Sequence, residues 1–285
     1  MSENPPSETT VEELYTEFAA GPSDGRTEAL LEHSLEPRGP DMLFDIAAEL
    51  GVNVDDLVLD AGCRDGRHMT ELVNRFGCRA VGVELVEANL RRRAEVIAAT
   101  GADVSQRLSF VRGDIQRLPF QDGTFDLVWN RDVMIHVPDL RAGFSECRRV
   151  LRVGRRMLLF QMFATRELSE AEAARLWPPL AAVPANADPD HFERCVLEAG
   201  WTIERVEHLQ SEWREHAEEE GSGRTSRQLL HAARLLRRPG HYVETIGRTA
   251  YEGELANTLW GVYQMIGKLS PRVYVLRSVR HPLAE

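Results

Sequence analysis

The sequence predicts an α/β fold, a parallel sheet covered by helices on both faces. Short apolar runs at residues 57–59, 80–83, 108–111, 125–129 and 157–160 read as strands. Helical patterns at 67–76, 88–99 and 140–151 separate them. Repeated strand–helix alternation implies crossover connections, and apolar strands of this kind need cover on both sides. The third observation is bulk composition. A chain of 285 residues with 43 % hydrophobic and 28 % charged side chains has the balance of a soluble globular protein.

The elements follow in order. Residues 1–10 hold Asn4, Pro5, Pro6 and Ser7 and read as a disordered start. Val11, Leu14, Tyr15 and Phe18 make one stripe of a helix over 11–20, ended by Gly21-Pro22. A second helix covers 41–50, with Met42, Leu43, Ile46 and Leu50 inward. After the alternating region come a helix at 191–199, closed by Gly200, and a strand at 201–206. Residues 211–270 break the alternation: they are charged, then helical near 228–236, then rich in Tyr and Trp. A last strand occupies 272–279. An insertion of that length reads as a lid or an oligomer contact, so a homo-oligomer stays open. The expected organisation is an N-terminal helical cap at 1–50, a core at 51–210, a helical lid at 211–270 and a final core strand at 271–285.

Charge narrows the function classes. The net charge is −11, from 34 basic and 45 acidic residues. A duplex-binding surface usually carries a basic excess, so nucleic acid is not expected as a partner. The acidic balance instead suits a neutral or cationic small molecule. No apolar run reaches the roughly 18 residues of a membrane helix, so no membrane partner is expected. The acidic first 20 residues do not resemble a secretory signal. Cys63, Cys78, Cys147 and Cys195 form no CxxC pair and no zinc spacing, which points to the cytoplasm and to no metal. Lys268 is the single lysine; every other basic residue is arginine, as codon bias in a GC-rich genome would give.

Four elements carry the chemistry. Asp60, Gly62, Cys63, Arg64 and Gly66 lie in a turn between a buried strand and a helix. Glycines there permit positive φ and close ligand approach, and the helix start offers free N–H groups. The spacing does not make the G-x-G-x-x-G of a dinucleotide fold. Glu84-Leu85 ends the second strand, where a carboxylate can take two ribose hydroxyls. Asp114-Ile115 follows the third strand and suits an adenine amine and its ring face. Asn130, Arg131 and Asp132 end the fourth.

In this order the four elements resemble class I S-adenosylmethionine-dependent methyltransferases over residues 57–163. The resemblance implies a Rossmann-like, seven-stranded sheet with the last strand antiparallel, and S-adenosyl-L-methionine as cofactor. It also implies a small-molecule substrate, since the chain has no added basic recognition domain. Asp60 and Gly62 would lie near the methionyl part, Glu84 at the ribose, Asp114 and Ile115 at the adenine, and Asn130 by the sulfonium. Arg64 departs from the family, which has glycine there; its guanidinium could reach the cofactor carboxylate. The turn at 152–156 also departs from the family's K-P-G-G, with no effect expected.

Arg131-Asp132-x-x-x-His136 further resembles phosphobase N-methyltransferases and, in part, sarcosine and dimethylglycine methyltransferases. That likeness implies His136 and an N-terminal tyrosine, here Tyr15, at the substrate, with Arg131 and Asp132 as substrate residues. Histidine is the usual base for a proton lost near neutral pH. The plain alternatives are packing for His136, helix core for Tyr15, and a mutual pair for Arg131 and Asp132. His68 reads as a surface residue. The tryptophans 129, 177 and 213, with Tyr263, read as core or as a cation cage. Two other functions remain open: a cofactor-binding scaffold without transfer activity, motivated by Arg64, and a nicotinamide-dependent oxidoreductase.

Overall fold

The computed structural model describes residues 10–13, 16 and 26–278. The chain divides into two compact units, 1–37 and 38–285. In the first, residues 11–13 and 16 are helical and a short helix spans Arg26–Leu31. Tyr15 lies outside the described residues.

The second unit holds a seven-stranded sheet. Its strands are β1 (Leu57–Ala61), β2 (Arg79–Glu84), β3 (Leu108–Arg112), β4 (Phe125–Arg131), β5 (Leu151–Ala164), β6 (Trp201–His208) and β7 (Leu269–Ser278). The order is β3-β2-β1-β4-β5-β7-β6. Strands β1 to β5 pair in parallel, and β7 runs antiparallel to both β5 and β6. The central strand β4 is buried from Phe125 to Asn130, as expected for a strand covered on both faces.

Two cores fill the two faces. One face packs α1 (Met42–Glu49) and α2 (Arg67–Phe76) against the sheet, through Leu43, Ile46, Leu72 and Val73. The other packs α4 (Leu140–Val150) and α6 (Pro189–Glu198), through Phe144, Cys147, Phe192 and Val196. Between them in the chain lie α3 (Glu87–Ala98), after β2, and α5 (Glu170–Leu176), after β5. Four helices precede β7: α7 (Glu212–Glu219), α8 (Arg224–Arg237), α9 (Pro239–Ile246) and α10 (Arg248–Met265). Trp213, Leu235, Leu255 and Leu259 carry three of these helices into the first core. The Trp213 ring stacks on Phe160 of β5 at 4.3 Å and 8°. Such a pair contributes about 0.5–1.5 kcal/mol beyond its buried area.

The observed elements differ from the sequence expectation where apolar patterning is weak. Strand β5 starts at Leu151 rather than Met157, because residues 152–156 alternate between exposed and half-buried. Helix α5 has one buried residue, Leu176, so no stripe announces it. Its start is set instead by a capping box between Ser169 and Glu172. Glu172 also takes the lone lysine, Lys268, at 2.6 Å, which ties α5 to the residue before β7. Helix α1, expected within an N-terminal cap, belongs to the sheet-bearing unit and is part of its core. No described helix is long and apolar enough to cross a membrane.

Candidate active site

Strand β1 lies between β2 and β4, so the chain crosses the sheet in opposite directions on its two sides. Ligands of open α/β sheets bind in the crevice at the carboxyl ends of such strands. Here that crevice opens into a cavity of about 1360 Å³.

The turn after β1 forms one wall. Gly62 and Gly66 have φ of +92° and +89°, and a Cβ at either would lie 2.4 Å from Val133 or 2.5 Å from Phe110. Both positions therefore exclude side chains on conformation and on space. Arg64 is also left-handed, with φ of +53°. The Glu84 carboxylate, at the end of β2, accepts from the Arg64 N–H at 3.0 Å and the Val86 N–H at 2.8 Å. A carboxylate has roughly four acceptor positions. Asn89 Nδ2 takes a third at 3.3 Å.

Behind this wall sit two buried groups with an unused oxygen. Asp60 and Asn130 are each 1 % exposed. Asp60 Oδ2 and Asn130 Oδ1 have no hydrogen-bond partner among the described residues. Burial, then repulsion from Glu84, pushes the Asp60 carboxyl up to about 7, and Arg131 works against both. The Asn130 amide donates to the Ala61 carbonyl at 2.7 Å, fastening β4 to the end of β1.

The residues after β4 form the opposite wall. Asp132 adopts φ of +58°, and its Oδ1 is buried without a partner among the described residues. Burial pushes its carboxyl up to about 6, with His136 and Arg131 opposing. The Arg131 guanidinium donates to His68 Nε2 and lies over the Trp213 ring at 5.2 Å. Burial, then Arg131, drives the His68 pKa down to about 4. His136 Nδ1 is 3.1 Å from the Ala181 carbonyl oxygen. A carbonyl only accepts, so Nδ1 carries the hydrogen of the neutral ring and Nε2 keeps its lone pair. His136 borders the cavity, together with Arg131 and Asp132.

Residues 59–159 match the model of a methyltransferase domain. The chain carries a class I, S-adenosylmethionine-dependent methyltransferase core. It is 34 % identical over 140 residues to a sterol 24-C-methyltransferase of Gibberella zeae, a match covering 49 % of this chain and 33 % of that protein. The chain thus spans about a third of the length of that relative. It is 29 % identical over 197 residues to the 27-O-demethylrifamycin SV methyltransferase of Amycolatopsis mediterranei, covering 67 % of this chain and 72 % of that protein. A solved structure of a putative sarcosine dimethylglycine methyltransferase from Galdieria sulphuraria superposes with a TM-score of 0.64. It covers 84 % of each chain at 18 % identity, so the likeness is one of fold.

Within this methyltransferase core, the residues singled out from sequence fall into three groups. Gly62, Cys63, Arg64, Glu84, Arg131, Asp132 and His136 border the cavity. Asp60, Gly66 and Asn130 are buried beside it in the same strand ends and turn. Leu85, Asp114 and Ile115 are not among the cavity-lining residues. Leu85 is 60 % exposed, Asp114 is held by Gln116, and Ile115 is packed in the second core. Burial raises the Cys63 thiol, so it stays a thiol.

Several cavity residues were not foreseen. His68, expected at the surface, is half-buried and bonded to Arg131. Its place two residues after Gly66, at the helix start, was the available signal. Arg214, Arg224, Gln228, Trp260 and Gln264 reach the cavity from the helical insertion, beside Trp213, which the sequence offered as core or cation cage. They are spread over three helices, and no local pattern brings them together.

Proposed function

We propose that the chain transfers a methyl group from S-adenosyl-L-methionine to a nitrogen, oxygen or carbon atom of a small molecule, by in-line displacement. The observation that carries this reading is the meeting, on one cavity, of Glu84, the turn from Gly62 to Gly66 and the free Nε2 of His136. The orphaned oxygens of Asp60 and Asn130, and the remaining acceptor position of Glu84, suit a ligand with amine and hydroxyl donors.

When bound, the cofactor supplies a methyl group on a positively charged sulfur. Glu84 would hold the ribose, through its remaining acceptor position, while Asp60 and Gly62 would serve the methionyl part and Asn130 the sulfur end. Asp114 and Ile115, beyond the cavity lining, are the residues proposed for the adenine. Arg64, which lines the cavity, would meet the cofactor carboxylate. Arg131 and Asp132 would orient the substrate, and Tyr15 is the second residue proposed for catalysis. His136 Nε2 accepts the proton that an amine or hydroxyl nucleophile loses. Positioning of nucleophile and methyl in line supplies most of the barrier reduction, up to about 7–11 kcal/mol. The acid–base step adds about 10²–10⁴-fold.

The likeness to a 27-O-demethylrifamycin SV methyltransferase of a bacterium favours a role in bacterial specialised metabolism. Calorimetry with S-adenosyl-L-methionine, followed by labelled-methyl transfer to amines, phenols and acidic acceptors, tests the reading. Binding followed by transfer supports it. Binding without transfer to any acceptor would favour a cofactor-binding scaffold.

A further inference from the structure

Arg131 at the end of β4, Arg214 on α7 and Arg224 at the start of α8 all line the cavity. Most arginines packed elsewhere in this unit have carboxylate partners: Arg38 with Glu207 and Glu212, Arg149 with Glu146 and Asp122, Arg205 with Glu49 and Glu207. Arg131, Arg214 and Arg224 have none within ion-pair distance among the described residues; the cavity's other arginines, Arg64, Arg67 and Arg92, come from the elements before β3. Arg131 donates to a neutral ring nitrogen, His68 Nε2. Arg214 donates to Gln264 Oε1 at 2.7 Å and to Gln228 Oε1 at 3.1 Å.

Cations withdrawn from water are normally paired, because desolvation of a lone charge is costly; Arg131 and Arg214 are half-buried, and Arg224 is exposed at the cavity mouth. Burial, then the neighbouring Arg224, lowers the Arg214 pKa to about 10. Arg131 is shifted down for the same first reason. Among the lining residues contributed after β3, Asp132 is the one carboxyl group. Burial raises it toward neutrality, so it does not balance three guanidinium groups. Glu218 is near Arg214, but its oxygens are taken by the Thr225 N–H at 2.6 Å and the Ser226 hydroxyl at 2.6 Å. His136 adds a further basic group to this wall.

Resting on the methyltransferase reading above, we propose that the methylated substrate is an acid. Its carboxylate or phosphate sits among Arg214, Arg224 and Arg131, and its apolar body lies on Trp213, Phe160 and Trp260. The two glutamines aim the Arg214 guanidinium and leave its charge available, as guanidinium forks suit planar and tetrahedral oxyanions. The overall charge of −11 points the other way, and the local wall overrides it.

Calorimetric titration of inorganic phosphate, benzoate and neutral benzamide decides the matter. Each is run on the cofactor-free protein and on protein saturated with S-adenosyl-L-homocysteine, whose own carboxylate then fills any cofactor site. At least one anion is expected to bind in the saturated protein, with benzamide silent; phosphate or benzoate identifies the class. Arg214→Gln and Arg224→Gln should each weaken that binding about tenfold or more. Affinity for S-adenosyl-L-homocysteine should change by less than about twofold. Arg214→Lys, which keeps the charge, should retain part of the anion affinity and so excludes a folding defect. Failure of both anions to bind, or binding untouched in both Gln variants, overturns the proposal. Failure of S-adenosyl-L-homocysteine to bind overturns the methyltransferase reading instead, and the cofactor-free titrations still decide the anion subsite.

Discussion

The two walls of the cavity are built by different means. On the cofactor side, residues are placed by backbone: a strand ends, a glycine turn follows, and Glu84 accepts the turn's own N–H groups. Its buried charges are carboxylates, Asp60 and Glu84, at 1 % and 8 % exposure, with Arg64 at the wall's exposed edge. On the substrate side, the ends of β4 and β5 meet side chains from α7, α8 and α10. Its charges are guanidinium groups held by neutral amides and a histidine. The acidic wall is local in sequence and fixed by covalent geometry. The basic wall exists only after the insertion packs Trp213 on Phe160.

If this division holds, mutations on each wall should separate cleanly. The largest effect is expected from His136→Ala, which should lower kcat by about 10²–10⁴-fold while cofactor affinity stays nearly unchanged. Steady-state rates beside equilibrium cofactor binding check this. An unchanged rate removes His136 from proton transfer. Glu84→Ala comes next. Loss of a charged acceptor costs about 1.5–3 kcal/mol, so cofactor binding should weaken about 10- to 100-fold, measured by titration.

Asp60→Asn should act mainly on stability. Burial raises the folded-state pKa of Asp60 to about 7, above the unfolded value near 4. Its contribution is therefore full below about pH 4 and is lost as pH rises through 7. Asparagine removes that loss. The ligand-free variant should be more stable than the parent at pH 8, by about 1–3 kcal/mol, and similar at pH 4. Thermal melts at the two pH values read the difference; equal melts at pH 8 would argue against a strained carboxylate. The smallest effect is expected from Arg64→Gly. A left-handed non-glycine residue costs about 1–2 kcal/mol, partly offset by the entropy of glycine, so denaturation should show a gain of about 1 kcal/mol or less.

The same division sets what the sequence could disclose. The seven strands and the turn carrying Asp60, Gly62, Arg64 and Gly66 were legible, because buried strands leave apolar runs and glycine turns leave glycines. His136 was legible through its spacing from Arg131. Arg214 and Arg224 were not: they come from separate helices and look like any of the other arginines. What distinguishes them is that they line the cavity without a carboxylate partner, and that is a property of packing. Helix α5 escaped for a related reason, since a capping box rather than an apolar stripe defines it. Asp114 and Ile115 mark the reverse case, in which a sequence pattern is present but the residues stand outside the cavity.

The most direct test is calorimetric titration of S-adenosyl-L-methionine into the parent protein, Glu84→Ala and Arg214→Gln. A single site in the parent is expected, weakened about tenfold or more in Glu84→Ala and retained in Arg214→Gln. Absence of binding in the parent, or equal loss in both variants, would contradict a cofactor wall and a substrate wall that work separately.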